Sequence, residues 1–157
     1  MSHSEIWKPN VVVAAIVERE GRFLIVEEYA DSDQLVRNQP AGHLDAGETL
    51  LDAVVRETRE ETAWRFTPQA LVGVYRLETR AFGGTTYLRF CFCGAVDQHD
   101  PVQPLDDGVQ RAVWLSREEL AARPEMLRSQ LVLRCIDDFR AGRRYPLELI
   151  ADFPLAD

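Results

Sequence analysis

Apolar and polar positions in the first part of the chain follow the pattern of β-strands. Residues Val11–Val17 are continuously apolar and rich in β-branched side chains, which is typical of a strand buried on both faces. Phe23–Val26 is a second apolar run, and the polar segment Glu18–Arg22 predicts a turn between the two. Together they predict a hairpin in the core of a sheet. A polar connection, Asp31–Gln34, and an irregular segment, Asn38–Gly42, are predicted to follow.

The second half of the chain again has the pattern of strands. Leu71–Arg80 and Thr86–Val96 are two long segments of strand character, and the glycine-containing segment Ala81–Gly84 between them predicts a second hairpin. Arg111–Leu115 predicts one more short strand. We therefore expect strands on both sides of the helical segment described next.

Three segments carry the signals of helices. Thr49–Asp52 resembles a capping box with Asp at its fourth place, and the apolar periodicity predicts a helix from there to about Ala63. Ser116–Glu119 matches a capping box and predicts a short helix that Pro124 ends. Ser129–Arg140 predicts a last helix. The order of strands, helix, strands and helices predicts an α/β protein in which helices pack on a mixed sheet.

The composition limits the classes of protein that the chain can belong to. Its 157 residues, 46% of them hydrophobic, fit a single domain, 1–157. A net charge of −8 argues against a nucleic-acid binder, which carries a basic face. We expect no membrane partner, because no apolar run reaches the length of a span, and no secretory signal is visible. Cys91, Cys93 and Cys135 are odd in number, which favours reduced thiols in a cytoplasmic protein over disulfides.

The first predicted helix concentrates negative charge on one side. Glu57, Glu60 and Glu61 lie within an arc of about 100° at 3.6 residues per turn, and their mutual repulsion gives no stability. Each charge near the carboxyl end costs roughly 0.3–1 kcal/mol. A hard divalent cation with oxygen ligands would reverse that effect. The alternative is a solvated acidic face with an ion pair between Arg56 and Glu60.

The segment before these glutamates favours the metal interpretation. From Gly42 to Trp64 the chain reads GHLDAGETLLDAVVRETREETAW, which resembles the Nudix box. The fixed positions of that box are occupied by Gly42, Glu48, Arg56, Glu57, Glu60 and Glu61. Ala63 stands where the family has glycine and Thr58 where an aliphatic residue is usual. The family glycine lies where a left-handed backbone is wanted, so Ala63 is expected to affect the local backbone and no ligand.

The resemblance implies a fold, a cofactor and roles for individual residues. The Nudix fold is an α/β/α sandwich around a mixed sheet, and its box forms a loop–helix–loop, here residues 42–64, that holds Mg²⁺, for which Mn²⁺ can substitute. Metal ligands are then expected at Glu57, Glu60, Glu61 and the carbonyl of Ala41. Arg56 is expected to orient a glutamate without touching substrate, and Glu48 to support it. A bound Mg²⁺ also explains how so acidic a protein accepts a phosphate.

Hydrolysis also needs a carboxylate that accepts a proton from water. The resemblance leaves its identity open: Glu57 or Glu60 within the box, or an acid from a loop outside it, for which Asp106 and Asp107 are the candidates. The alternative for these two aspartates, which precede Gly108, is an ordinary surface turn.

Three residues outside the box are candidates for contacts with substrate. The apolar side chains of 86–96 alternate onto one face, so Tyr87 and Arg89 share the other. There Arg89 can meet a phosphate and Tyr87 can stack on a ring. The alternative is a half-buried strand with an exposed arginine. Arg37 is a similar candidate.

Similarity beyond the box indicates a bacterial phosphatase group within the family. The matching segments are Lys8-Pro9, Phe23–Glu28, Asn38–Leu44, Leu88–Phe90, Gln103-Pro104 and Arg144–Glu148. Members of that group release orthophosphate from nucleoside tri- and diphosphates and act on the pyrophosphate of the thiamine pyrimidine precursor and, weakly, on thiamine pyrophosphate. Alternatives are a pyrophosphatase for ADP-ribose or a dinucleoside polyphosphate, or a non-catalytic nucleotide-binding module. The expected partner is a small phosphorylated substrate, and the expected state a monomer or weak homodimer.

Overall fold

The structure is a computed structural model that describes residues 4–80 and 83–156. In these residues the strands are β1 (Asn10–Ile16), β2 (Glu18–Arg19), β3 (Arg22–Tyr29), β4 (Leu35–Asn38), β5 (Ala41–His43), β6 (Arg65–Thr79), β7 (Thr85–Asp97) and β8 (Val109–Leu115). The helices are α1 (Leu50–Thr62), α2 (Arg117–Ala121) and α3 (Leu131–Arg140), with 3₁₀ turns at Pro124–Met126 and Leu147–Leu149. None of the helices in the described ranges is long and apolar enough to cross a bilayer.

The strands form two sheets, and the helices pack on them. The first sheet has the order β5-β1-β7-β6, in which β1 and β7 are parallel and the other neighbours are antiparallel. In the second sheet, β3 pairs antiparallel with β2, β4 and β8. The predicted α/β architecture, a mixed sheet with helices packed on it, is confirmed.

The predicted hairpin between the first two apolar runs is wrong in its pairing. β1 pairs with β5 and β7, and β3 lies in the other sheet, where its hairpin partner is the two-residue strand β2. A single backbone hydrogen bond of 3.0 Å, from Leu24 N to Val17 O, joins the two runs at the turn. A strand that is apolar on both faces has no alternation of apolar and polar residues from which a partner strand could be inferred. The two runs were predicted to pair only because they are neighbours along the chain.

The second hairpin is confirmed, with different bounds. β6 pairs antiparallel with β7, but it begins at Arg65, well before the predicted start, and passes through Pro68. The register shifts between Pro68 and Ala70, which is the bulge at which a strand tolerates proline. Ala81 and Phe82, in the predicted connection, lie outside the described residues. The segment predicted as irregular, Asn38–Gly42, instead contains the end of β4 and the start of β5.

The starts of α1 and α2 agree with the sequence signals, whereas α3 begins at Leu131, two residues after its predicted start. Thr49 caps α1 by accepting a 3.0 Å hydrogen bond from Asp52 N, and Ser116 and Glu119 form a complete capping box at α2. Ala63 ends α1 at φ 61°, in the left-handed region where the Nudix box has glycine. Such a conformation costs a non-glycine residue roughly 1–2 kcal/mol, so the expected effect of Ala63 on the backbone is present and local.

Alternate residues of β7 face two different cores. Phe92 belongs to the same hydrophobic cluster as Val54 of α1, whereas Cys91 belongs to the cluster that contains Cys135 of α3, and all three cysteines are free and buried. Because side chains alternate along a strand, Arg89 lies on the same side as Cys91, toward α3. This alternation determines which side chains of β7 reach the site.

Candidate active site

The second half of α1 and the loop before β8 bring three carboxylates together. Glu57, Glu60 and Asp106 each offer a carboxylate oxygen within 4.8 Å of the others. The amide N–H of Asp106 donates to the carbonyl of Glu60 at 3.0 Å, which holds the loop against the helix. Asp107 is exposed and does not belong to this three-carboxylate group.

Arg56 holds several of these acids in place. It binds Glu48 through two hydrogen bonds, Nε to Oε2 at 3.0 Å and Nη2 to Oε1 at 2.7 Å. Nη1 donates to Glu57 Oε1 at 2.9 Å and to Glu60 Oε2 at 3.1 Å, and Nη2 also donates to the carbonyl of His43 at 3.1 Å. One guanidinium therefore positions two members of the three-carboxylate group and the loop that precedes α1.

A single arginine does not balance the negative charge gathered here. Burial raises the pKa of Glu57, Arg56 lowers it, and the neighbouring charges of Glu60 and Asp106 raise it further, so the net shift is upward. The donor set is entirely carboxylate oxygen, which is what Mg²⁺ and Mn²⁺ bind in proteins. The residues present therefore fit a divalent cation.

Glu61 differs from the other two glutamates of α1 because it is buried. Its Oε1 accepts a 2.7 Å hydrogen bond from the amide N–H of Ala41 at the start of β5. Burial, with smaller contributions from the charges of Glu28 and Glu57, raises the pKa of Glu61 to about 9, although the Ala41 hydrogen bond opposes the shift. Without a cation this carboxyl is neutral at pH 7, and a nearby cation would favour its ionised form.

The carboxylate of Glu57 leaves no room for a side chain at position 42, which Gly42 occupies. A Cβ at Gly42 would lie 2.1 Å from Cδ of Glu57, far inside van der Waals contact. Only a residue without a side chain lets this carboxylate lie against the β5 backbone. The first glycine of the box thus has a steric reason in the chain itself.

A cavity of about 210 Å³ opens beside β5 and extends across the first sheet. Val12 of β1 pairs with His43 on one side and with Arg89 on the other, so the three side chains share the face that lines the cavity. The remaining lining residues are Glu28, Asn38, Ala41, Gly42, Leu77, Thr79, Tyr87, Arg128, Ser129 and Leu131. The cavity and the carboxylates meet at Ala41 and Gly42.

The structure separates the three predicted substrate contacts. Tyr87 and Arg89 share the cavity face, as predicted, and Arg89 is buried, so the alternative of an exposed arginine is wrong. Arg37 lies elsewhere: its Nε pairs with Oε2 of the buried Glu27 at 3.3 Å, and it is absent from the cavity lining. This ion pair within the second sheet accounts for the position of Arg37, and no local sequence pattern predicts it.

Three further residues that line the cavity, and Gln39 next to it, had no assigned role in the sequence interpretation. Asn38 is buried beside Arg89, Gln39 lies behind both, and Glu28 forms a 3.2 Å ion pair with Arg128. The segment Asn38–Leu44 stood out only by similarity. Glu28 and Arg128 lie far apart in the chain, so only the folded structure could pair them.

Comparison with known proteins places this site in a family. The NUDIX domain family matches residues 7–134. Phosphatase NudJ of Escherichia coli K12 and Phosphatase NudJ of Shigella boydii are each 43% identical over 148 residues, which is 94% of this chain and 94% of theirs. The solved structure of a NUDIX hydrolase from Nitrosomonas europaea is 46% identical, covers 93% of this chain and 98% of its own, and has a TM-score of 0.89.

The chain therefore belongs to the Nudix family and is a hydrolase that acts on pyrophosphate bonds. Within that family it is NudJ-like, over nearly its whole length.

Proposed function

We propose that the protein is a Mg²⁺-dependent phosphohydrolase, with Mn²⁺ able to substitute. Its proposed substrates are nucleoside tri- and diphosphates and the pyrophosphate of the thiamine pyrimidine precursor. The observation that carries the proposal is the group formed by Glu57, Glu60 and Asp106, three carboxylates within 4.8 Å with one arginine to offset them. The 43% identity to Phosphatase NudJ supports the substrate class.

The cation would be held by Glu57, Glu60 and Asp106, with Glu61 and the Ala41 carbonyl as further ligands. When bound, it would neutralise phosphate oxygens and position water for in-line attack. Around it, Glu48 fixes Arg56, and Arg56 fixes Glu57 and Glu60, so the carboxylates are preorganised before substrate arrives.

The proton of the attacking water passes to a carboxylate at this site. Glu57, Glu60 and Asp106 are the candidates, because all three oxygens surround one point. Burial raises the pKa of Glu57, which improves it as a base at neutral pH. Asp107, exposed and outside the group, is the weakest of the acids named for this role.

The decisive assay measures orthophosphate and pyrophosphate release from a panel of substrates, with Mg²⁺ and with EDTA. The panel contains nucleoside tri- and diphosphates, the pyrimidine pyrophosphate, thiamine pyrophosphate, ADP-ribose and a dinucleoside polyphosphate. We expect Mg²⁺-dependent orthophosphate release, which should be greatest for the nucleoside tri- and diphosphates and for the pyrimidine pyrophosphate. Equal activity in EDTA would refute metal dependence, and turnover confined to ADP-ribose or the dinucleoside compound would refute the substrate class.

We further propose that the enzyme works in the cytoplasm as a monomer or weak homodimer. Three buried free thiols, Cys91, Cys93 and Cys135, support a reducing compartment. Light scattering over a range of protein concentrations tests the oligomeric state, and fractionation of cells tests the location.

A further inference from the structure

The guanidinium of Arg89 is a buried cation whose described hydrogen-bond partners are two amide oxygens and a cysteine sulfur, none of them a carboxylate. Its Nη1 donates to Oε1 of Gln39 and its Nη2 to Oδ1 of Asn38, both at 3.0 Å, and Sγ of Cys135 lies 3.9 Å from Nη1. Within residues 4–80 and 83–156, no carboxylate lies within ion-pairing distance of it. Because a buried charge is costly without a counter-charge, the surroundings of Arg89 are incomplete until an anion approaches.

The two amides that hold Arg89 are themselves fixed. Nε2 of Gln39 donates to the carbonyl of Val132 in the first turn of α3 at 2.8 Å, so the amide oxygen faces the guanidinium. Asn38 ends β4, where it pairs with Val26, and it is buried as well. An amide oxygen accepts from arginine without carrying charge. The pair thus immobilises the cation and leaves its charge uncancelled.

The cavity consequently carries one positive charge in excess. Glu28 and Arg128 line it and neutralise each other at 3.2 Å, which leaves Arg89. The strand that follows the two amides begins at Ala41, whose N–H binds Glu61. One short segment therefore positions both the cation of the cavity and a carboxylate of the active site.

We propose that Asn38 and Gln39 are positioning residues that present the guanidinium of Arg89 to an anionic oxygen of the substrate's polyphosphate chain. The inference rests on the proposed function and extends it to residues outside the Nudix box. In the described part of the chain, Nε–H and one Nη2–H of Arg89 have no acceptor, and a phosphate group takes two such donors. Amides in place of carboxylates keep the guanidinium available to that anion.

The isosteric variant Asn38→Asp tests this directly, because it places a carboxylate on Arg89 while the side chain keeps its size. Gln39→Glu places a carboxylate there too, but it also removes the Nε2 donor to Val132, so its stability is measured alongside its kinetics. We expect KM for a nucleoside diphosphate and Ki for inorganic tripolyphosphate, which has no ring, to rise at least about tenfold. The kcat and the Mg²⁺ concentration for half-maximal rate should stay near wild type. Gln69→Glu, an exposed position on β6, controls for an added negative charge.

A purely structural network predicts the opposite result, because a carboxylate would bind Arg89 at least as firmly and leave KM and Ki unchanged; that outcome overturns the proposal. A rise for the nucleotide alone also overturns it and assigns Arg89 to the ring. Should either variant fail to fold, Arg89→Lys provides the test, because lysine keeps the positive charge but lacks the two parallel N–H donors of the guanidinium. This variant must raise Ki for tripolyphosphate with kcat retained. Wild-type protein without Mg²⁺-dependent turnover refutes the proposed function instead, and calorimetric binding of tripolyphosphate then still tests Arg89.

Discussion

The amide N–H of Ala41 lies 2.7 Å from Oε1 of Glu61 and donates a hydrogen bond to it, which joins the start of β5 to the last turn of α1. This contact holds a carboxyl that burial would otherwise leave without a partner. Two elements separated in sequence by the whole box loop and helix are thereby fixed to each other. The protonation of Glu61 is therefore linked to the stability of the fold.

Metal-free protein should lose stability as pH rises. The pKa of Glu61 is raised to about 9 in the folded state from 4.5, so between these values the native state holds a proton that the unfolded state has released. Stability then falls with increasing pH, by at most about 1.4 kcal/mol per unit from this group. Urea unfolding in EDTA at pH 6 and pH 8.5 measures the slope.

Glu61→Gln should flatten that dependence and raise the stability of the metal-free protein at pH 8.5, since it removes the ionisation. Glu20→Gln, at an exposed turn, is the matched control and should leave the slope unchanged. Identical slopes for wild type and Glu61→Gln would show that Glu61 is already ionised in the native state.

Gly42→Ala should damage the site more than the fold. The added Cβ would lie only 2.1 Å from Cδ of Glu57. The side chain of Glu57 must therefore move away from β5. We expect turnover to fall by orders of magnitude and Mg²⁺ affinity to fall with it, at a stability cost of about 1–3 kcal/mol. Calorimetric titration with Mg²⁺ and steady-state assays measure the two effects, and wild-type values in both would contradict the steric argument.

The sequence was sufficient for features set by local spacing. Glu57 and Glu60 share a helix face because of the helical period, and Ala63 adopts the left-handed conformation because a helix end there requires it. The partner of β1 was not predictable in this way. Its side chains are apolar on both faces, so only the packing of two sheets decides that it pairs with β7, far along the chain.

The site shows the same division between local and distant contacts. The box gave the acids of α1, but the position of Asp106 depends on a backbone hydrogen bond to Glu60 across the whole β6–β7 hairpin. The ion pair that removes Arg37 from the cavity and the amides that hold Arg89 are likewise contacts between distant segments. Charge and spacing along the chain do not encode such contacts.

The cation should stabilise the folded protein through the carboxylates of α1. If Mg²⁺ binds there as proposed, it would offset the repulsion between Glu57 and Glu60 and should raise the melting temperature of the wild type in proportion to the logarithm of its concentration. The double variant Glu57→Gln, Glu60→Gln should fold, lose turnover by orders of magnitude, and show no such shift. An equal shift in both proteins would place the ion elsewhere on the surface.

Asp106 and Asp107 form a matched pair of neighbouring aspartates for the last test. Both aspartates are exposed, but only Asp106 lies within the group formed with Glu57 and Glu60. Asp106→Asn should lower kcat and raise the Mg²⁺ concentration needed for half-maximal rate, because it removes one of three converging carboxylates. Asp107→Asn carries the same change in charge and loop chemistry and should stay within about twofold of wild type. Equal loss in the two variants would mean that the loop acts through its net charge alone, and equal retention would return Asp106 to the role of an ordinary turn residue.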